Sequence, residues 1–68
     1  MKKYINGIMD NAIHLEHGVV YSFIDDKGLI TNFEYGLSLI DCLNILGRKG
    51  WELRLQNLSN QYILVKEI

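Results

Sequence analysis

The segment 38–50 constrains the fold most, because it carries the clearest helical signal in the chain. Three leucines recur at i, i+4 and i+7 and so fall on one stripe of a helix; they are Leu39, Leu43 and Leu46. Ser38 precedes them and Asp41 follows Ser38 by three residues, close to the capping box that begins many helices. The flanking segments are short and β-rich, so the sequence predicts a sheet covered by one helix.

The glycines after this run predict where the helix ends. Gly47 is expected to stop the helix in the left-handed conformation, and Gly50 is expected to allow the reversal into the next strand. Arg48 and Lys49 lie just past the last turn, where cations complement the negative end of the helix dipole.

The segments on both sides of the helix predict hairpins. Residues 19–24 and 29–33 are rich in β-branched and aromatic side chains, and 25–28 supplies turn formers between them. After the helix, residues 51–56 alternate, which predicts one face with Trp51, Leu53 and Leu55 and another with Glu52, Arg54 and Gln56. A turn at 58–60 then leads into a strand over 61–66.

The first seventeen residues are open to two interpretations. Residues 3–9 and 12–16 read as short strands around a turn at Asp10 and Asn11. A helix over 8–16 would instead place Ile8, Ala12 and Leu15 on one side. In either case we expect residues 1–17 to be an added strand or arm of a single domain spanning 1–68.

The predicted class is α+β, an antiparallel sheet of about four to six strands with one helix, at about 38–47, packed on one face. A chain of 68 residues buries only about 60% of its unfolded surface, so a monomer would be marginally stable. Such domains gain stability from disulfides, metals or partner subunits. Since Cys42 is the single cysteine, an intramolecular disulfide is excluded and a homo-oligomer is expected.

The net charge and the single cysteine limit the kinds of partner and the cellular compartment that we expect. Seven Lys and Arg against eight Asp and Glu give a net charge of -1, so non-specific binding to nucleic acid or to anionic membranes is not expected. The N-terminal apolar stretch is interrupted by polar residues and fits neither a signal peptide nor a membrane span. A single cysteine agrees with a reducing compartment, so a cytoplasmic location is expected.

The run Leu43-Asn44-Ile45-Leu46-Gly47-Arg48-Lys49-Gly50-Trp51-Glu52-Leu53, followed by the strand Tyr62-Ile63-Leu64-Val65-Lys66, resembles the domain-of-unknown-function family 4177. That family carries Leu-Asn-x-Leu-Gly-x-x-Gly-Trp-Glu-Leu after its helix. The resemblance covers roughly residues 38–66. It implies a small α+β fold found in bacterial and phage genomes, with no assigned reaction.

Candidate catalytic and metal-binding residues do not form a convincing set. His14, Glu16 and His17 are close in sequence, but on a strand His17 points away from the other two. Cys42 falls beside the apolar stripe of the helix, where a half-buried small hydrophobe is the ordinary interpretation. Asp25 and Asp26 lie in a turn, where Asp is favoured for its local hydrogen bonds. We therefore expect neither a metal, nor a cofactor, nor an enzyme.

Two features indicate binding. A sheet covered by one helix leaves its second face open, and we expect that face to form an oligomer interface. The residues expected there are Tyr21, Phe23, Tyr62 and Leu64. Alternatively, residues 1–17 fold over that face. The second feature is a set expected to hold a phosphate and stack a base, namely Arg48, Lys49, Arg54, Tyr62 and Lys66. Solvated surface charge is the alternative interpretation of this set.

The sequence therefore favours a non-enzymatic oligomeric binding protein that sequesters a small anionic ligand such as a nucleotide, in the manner of a phage-type counter-defence protein. Two alternatives stay open. One is a protein–protein inhibitor or adaptor, such as a phage-borne blocker of a bacterial defence complex. The other is a structural assembly module.

Overall fold

The computed structural model of the chain describes residues 2–56 and 61–68. Within them the element order is β1 (Tyr4–His14), β2 (Gly18–Ile24), β3 (Ile30–Asn32), α1 (Leu39–Arg48), β4 (Trp51–Gln56) and β5 (Tyr62–Glu67). The strands form one antiparallel sheet in the order β3-β2-β1-β5-β4. The predicted α+β class, one helix with an antiparallel sheet, is confirmed.

The middle of the sheet is β1, a continuous strand, so the predicted turn at Asp10 and Asn11 is wrong, as is the alternative helix over 8–16. Asp10 lies opposite Ser22 and Asn11 opposite Tyr21. The Asp10 carboxylate accepts a hydrogen bond from the Asn11 N–H at 2.9 Å. Pairing with β2 satisfies the backbone here and overrides the turn preference of both residues. The segment expected as an added strand or arm is thus a strand, and it is the central one of the sheet.

The predicted hairpin between β2 and β3 is confirmed. The Asp25 carboxylate accepts hydrogen bonds from the N–H groups of Lys27 and Leu29, both at 2.9 Å. Gly28 takes the left-handed conformation at φ 81°, which glycine adopts without steric cost. The carboxylate of Asp25 is therefore committed to the turn.

The helix begins as predicted and ends later than predicted. Ser38 Oγ accepts from the Asp41 N–H, and the Asp41 carboxylate accepts from the Ser38 N–H, each at 3.1 Å. The helix then passes through Gly47 and ends at Arg48, with Lys49 as the C-terminal cap. Gly50, at φ 94°, is the residue that turns the chain. The predicted stop at Gly47 is wrong because the left-handed position falls three residues later.

An irregularity in β4 changes which side chains share a face. Leu53 lies opposite Leu64, but Leu55 lies opposite Ile63, so the pairing shifts between Leu53 and Leu55. One extra residue in a strand reverses the direction of every side chain beyond it. The predicted shared face holds for Trp51 and Leu53 and fails for Leu55. The turn predicted at 58–60 lies outside the described residues.

The core lies between α1 and one face of the sheet, and its buried members are Met9, Phe23, Cys42, Leu46, Trp51 and Leu64. The Phe23 ring packs edge-on against Trp51, with the ring centroids 4.9 Å apart. It also covers Gly7, where an added Cβ would overlap the Phe23 ring. Cys42 is fully buried, deeper than the half-buried position expected, and it packs as a small hydrophobe.

The four residues predicted to form an oligomer interface on the open face lie on the helix-covered face instead; they are Tyr21, Phe23, Tyr62 and Leu64. Phe23 is 3% exposed and Leu64 1% exposed, both beneath the helix. Tyr21 and Tyr62 are half-buried against the same core, and burial, with Tyr62 and Cys42 nearby, raises the pKa of Tyr21. The register of β1 with its two neighbours directs these four side chains toward the helix.

In the part of the chain that the structure describes, no helix has both the length and the apolar character needed to cross a membrane.

Candidate functional site

The five residues predicted to bind an anion are not brought together. Lys66 lies opposite Trp51 on β4, so it shares a face with Trp51 and not with Arg54. Lys66 and Arg54 line different cavities. Arg48 and Lys49 are exposed at the end of α1 and line neither cavity. Tyr62 packs against the core. Of the predicted set, Lys66 is the residue that meets an aromatic ring.

A cavity of about 400 Å³ opens beside Lys66 on the helix side of the sheet, and its lining residues are Ile5, Asp25, Asp26, Lys27, Trp51, Lys66 and Ile68. They come from β1, the β2–β3 turn, the start of β4 and the end of β5. Ligand cavities in proteins measure about 300–1,000 Å³, so this one is at the small end of that range.

Strand pairing assembles the floor of the cavity. Ile5 lies opposite Lys66, and Lys66 lies opposite Trp51, so three adjacent strands present these side chains at one level. The pairing of Ile8 with Ile24 brings the turn that follows β2 back alongside the first half of β1. The turn residues thus form one wall and Trp51 the opposite one.

The Lys66 side chain lies against Trp51 and Gly50, with its ammonium group beside the Trp51 ring. Its Nζ lies 5.9 Å from the centre of the Trp51 ring, within the range of a cation–π contact. Its alkyl chain passes Gly50, where an added Cβ would lie 3.3 Å from Cε. Lys66 is half-buried, and Trp51 is 8% exposed. The site therefore joins an ammonium group to an aromatic surface at the edge of an apolar floor.

The remaining charges of the cavity lie on the β2–β3 turn. Asp25 uses one carboxylate oxygen to accept two backbone N–H groups, and those dipoles compensate part of its charge. Asp26 and Lys27 are exposed next to it. Lys66 and Lys27 are thus the two cationic groups available to an anionic ligand in this cavity.

Arg54 belongs to a second cavity, of about 310 Å³, lined by Tyr4, Gly47, Gly50, Glu52, Arg54, Val65 and Glu67. Two carboxylates and one guanidinium line it, whereas two carboxylates and two ammonium groups line the cavity beside Lys66. The balance of charge is therefore less favourable to an anion here than beside Lys66.

Three rings meet at the tip of the β1–β2 hairpin. The His17 ring stacks on Tyr35 with centroids 4.0 Å apart, and His14 lies 4.7 Å from His17. His14 Nδ1 also accepts a hydrogen bond from the Glu16 N–H at 3.1 Å. The rings join the tip to the loop before α1. Within residues 2–56 and 61–68, no group of three His, Cys, Asp or Glu side chains is placed to hold a metal ion.

Sequence reasoning missed Ile5, Lys27 and Trp51 as members of one site. It placed Trp51 on one face of the strand 51–56 and Lys27 in a turn. The missing information was the register between β1 and β2, because that register alone brings the turn beside Ile5. Comparison of the chain with protein-family models, curated proteins and solved structures finds no match.

Proposed function

We propose that the chain is a non-enzymatic binding protein that holds a small anion with a flat apolar body, such as a nucleotide, in the cavity beside Trp51. The observation that carries this proposal is the ammonium of Lys66 positioned over the Trp51 ring at the wall of a cavity. A flat ring gains contact area against Ile5 and against the part of Trp51 that stays exposed, 8% of the residue. An acidic group gains a charge-assisted hydrogen bond from Lys66 or Lys27.

The state of the cysteine supports a binding role over catalysis. Cys42 is fully buried in the core, and burial raises the pKa of its thiol. The thiolate is the nucleophilic form, so this environment disfavours covalent chemistry at Cys42. The unpaired cysteine also supports the cytoplasmic location that belongs to this proposal.

The test uses Trp51 as its own reporter, because it is the single tryptophan of the chain. We expect adenosine monophosphate to change the fluorescence of Trp51 in a saturable titration. Adenosine and inorganic phosphate, each carrying half of the recognised chemistry, are expected to bind more weakly. Lys66→Ala should raise the Kd for adenosine monophosphate about tenfold or more, the effect of losing one charge-assisted contact.

Lys49→Ala is the matched control. It removes the same charge from an exposed site that lines neither cavity, so its Kd should equal that of the unaltered chain. Equal Kd values for Lys66→Ala and Lys49→Ala would remove Lys66 from the site. A chain that binds none of the three probes would overturn the proposal.

A further inference from the structure

The face of the sheet opposite the helix carries one continuous aliphatic row. Each strand contributes one side chain, and each lies directly opposite the next across the ladder; in sheet order they are Leu55, Ile63, Ile8, Ile24 and Ile30. Ile8 is 39% exposed and Ile30 59% exposed, with Ile24 and Leu55 between these values. The β4 irregularity creates the row, because it turns Leu55 toward Ile63.

The exposed area of the chain matches what a dimer would cover. The accessible surface is 5134 Å², whereas a compact monomer of 7.9 kDa is expected to expose about 4,400 Å². The excess of about 700 Å² approaches the roughly 800 Å² that each partner buries in a standard protein–protein interface. The excess is summed over the whole molecule, and it is of the size that contact with one further copy of the chain would bury.

We infer that a second copy of the chain covers this row, so that two sheets stack face to face in a symmetric dimer. The row is centred on Ile8 of the middle strand, so it is complementary to itself about a two-fold axis through that residue. Its neighbours on the same face include three uncharged residues, Asn6, Ser22 and Val65, and one carboxylate, Asp10. Beside the row, each copy therefore has the charge of Asp10 to desolvate or to pair.

The position of Asp10 selects the direction of the axis. Asp10 follows Ile8 by two residues on this face, and Asn6 precedes it by two. An axis along the strands would set Asp10 against the partner's Asp10. An axis along the row instead sets Asp10 against the partner's Asn6 and brings each row residue onto its own copy. The second arrangement avoids opposing carboxylates at the interface.

The first experiment compares two isoleucines of β1 on opposite faces. Ile8→Asp introduces a charge at the centre of the row, while Ile13→Asp introduces it at an 86% exposed position on the helix side. Native mass spectrometry should show a dimer for the unaltered chain and Ile13→Asp, and a monomer for Ile8→Asp. A monomeric unaltered chain, or a dimeric Ile8→Asp variant, would overturn the inference.

The second experiment tests the axis without relying on a charged substitution. Stacked sheets lie about 10 Å apart, which is too far for a disulfide, so a short bis-maleimide is the appropriate cross-linker. With the axis along the row, Ile8→Cys and Ile24→Cys should each cross-link to the same residue of the second copy. The native Cys42 does not compete for the reagent, because it is buried. Ile13→Cys should stay uncross-linked. Cross-linking of Ile8→Cys without Ile24→Cys would overturn the axis along the row.

The ligand cavity and the row lie on opposite faces of the sheet. The two proposals can therefore fail separately. A dimer that does not bind adenosine monophosphate would contradict the ligand site alone, and a monomer that binds it would contradict the dimer alone.

Discussion

Two glycines of similar sequence context have different structural roles. Gly50 has φ 94°, and an added Cβ would lie 3.3 Å from Lys66 Cε. Gly47 is helical, and an added Cβ would meet nothing within 4 Å. At Gly50, both the space for a side chain and the backbone conformation therefore disfavour other residues, whereas at Gly47 neither does.

Alanine substitution at these positions should give opposite results. Gly50→Ala should lower the free energy of unfolding by about 1–2 kcal/mol, because an L-residue is strained in the left-handed region. Gly47→Ala should raise it by about 0.5–1 kcal/mol, because alanine has the higher helix propensity. Urea denaturation measures both. Equal effects of the two substitutions would contradict the conformational distinction.

Residue-scale prediction from the sequence succeeded where the partner is local. Ser38 with Asp41, and Asp25 with the N–H groups that follow it, form hydrogen bonds within four residues, so their spacing is visible in the sequence. It failed at Asp10 and Asn11, whose partners lie across the ladder in β2. Local preference is a weak guide where a distant strand supplies the backbone bonds.

At the scale of elements, the start of α1 is linked to pH. The hydrogen bond from the Ser38 N–H, and then the one with the Ser38 side chain, lower the pKa of Asp41 from its ordinary 3.8. A lowered folded-state pKa gives stabilisation that is fully present above the unfolded-state value. That stabilisation is lost as the pH falls through the folded-state pKa of Asp41.

We expect Asp41→Asn to remove this part of the pH dependence, because the amide cannot titrate. Thermal unfolding of the unaltered chain and of the variant, compared from neutral pH to below 3.8, should converge as the pH falls. At neutral pH, Ser38→Ala should lower the free energy of unfolding by about 0.5–2 kcal/mol, because the helix loses its N-terminal cap. A constant difference between the unaltered chain and Asp41→Asn at every pH would contradict the role of the carboxylate.

The bounds of most elements could be predicted from the sequence, but the face of the sheet on which each side chain lies could not. The bounds of β4 match the alternating segment 51–56, yet the irregularity between Leu53 and Leu55 redirects Leu55. A shift of one residue exchanges the two faces of a strand. The aliphatic row and the misassigned aromatic interface both follow from information that periodicity does not contain.

At the scale of the whole molecule, the inferred dimer makes unfolding depend on concentration. Association stabilises the folded state by mass action, so the Tm of the unaltered chain should rise over about a hundredfold increase in protein concentration. Ile8→Asp should show a Tm independent of concentration, and Ile13→Asp should behave as the unaltered chain. A Tm that stays constant for the unaltered chain would agree with a monomer.

The sequence identified one member of the candidate site and missed the others. The sequence indicated an anion site with an aromatic residue, and Lys66 was among the residues chosen. Its aromatic neighbour is Trp51 and not Tyr62, because Trp51 lies opposite Lys66 on the adjacent strand. Cross-strand pairing, which joins residues distant in sequence, assembled the cavity.

The pairing of β1 with β5 also determines when the chain can finish folding. Tyr4 lies opposite Glu67, and the N–H of Ile68 donates to the carbonyl of Lys3 at 2.9 Å, so the first and last strands are neighbours. During synthesis, one edge of residues 4–9 stays unpaired until residues 62–67 have emerged. Contacts of such sequence separation form slowly. Because Lys3 and Ile68 are hydrogen-bonded to each other, a short linker could connect these two positions, and the chain could then be opened elsewhere.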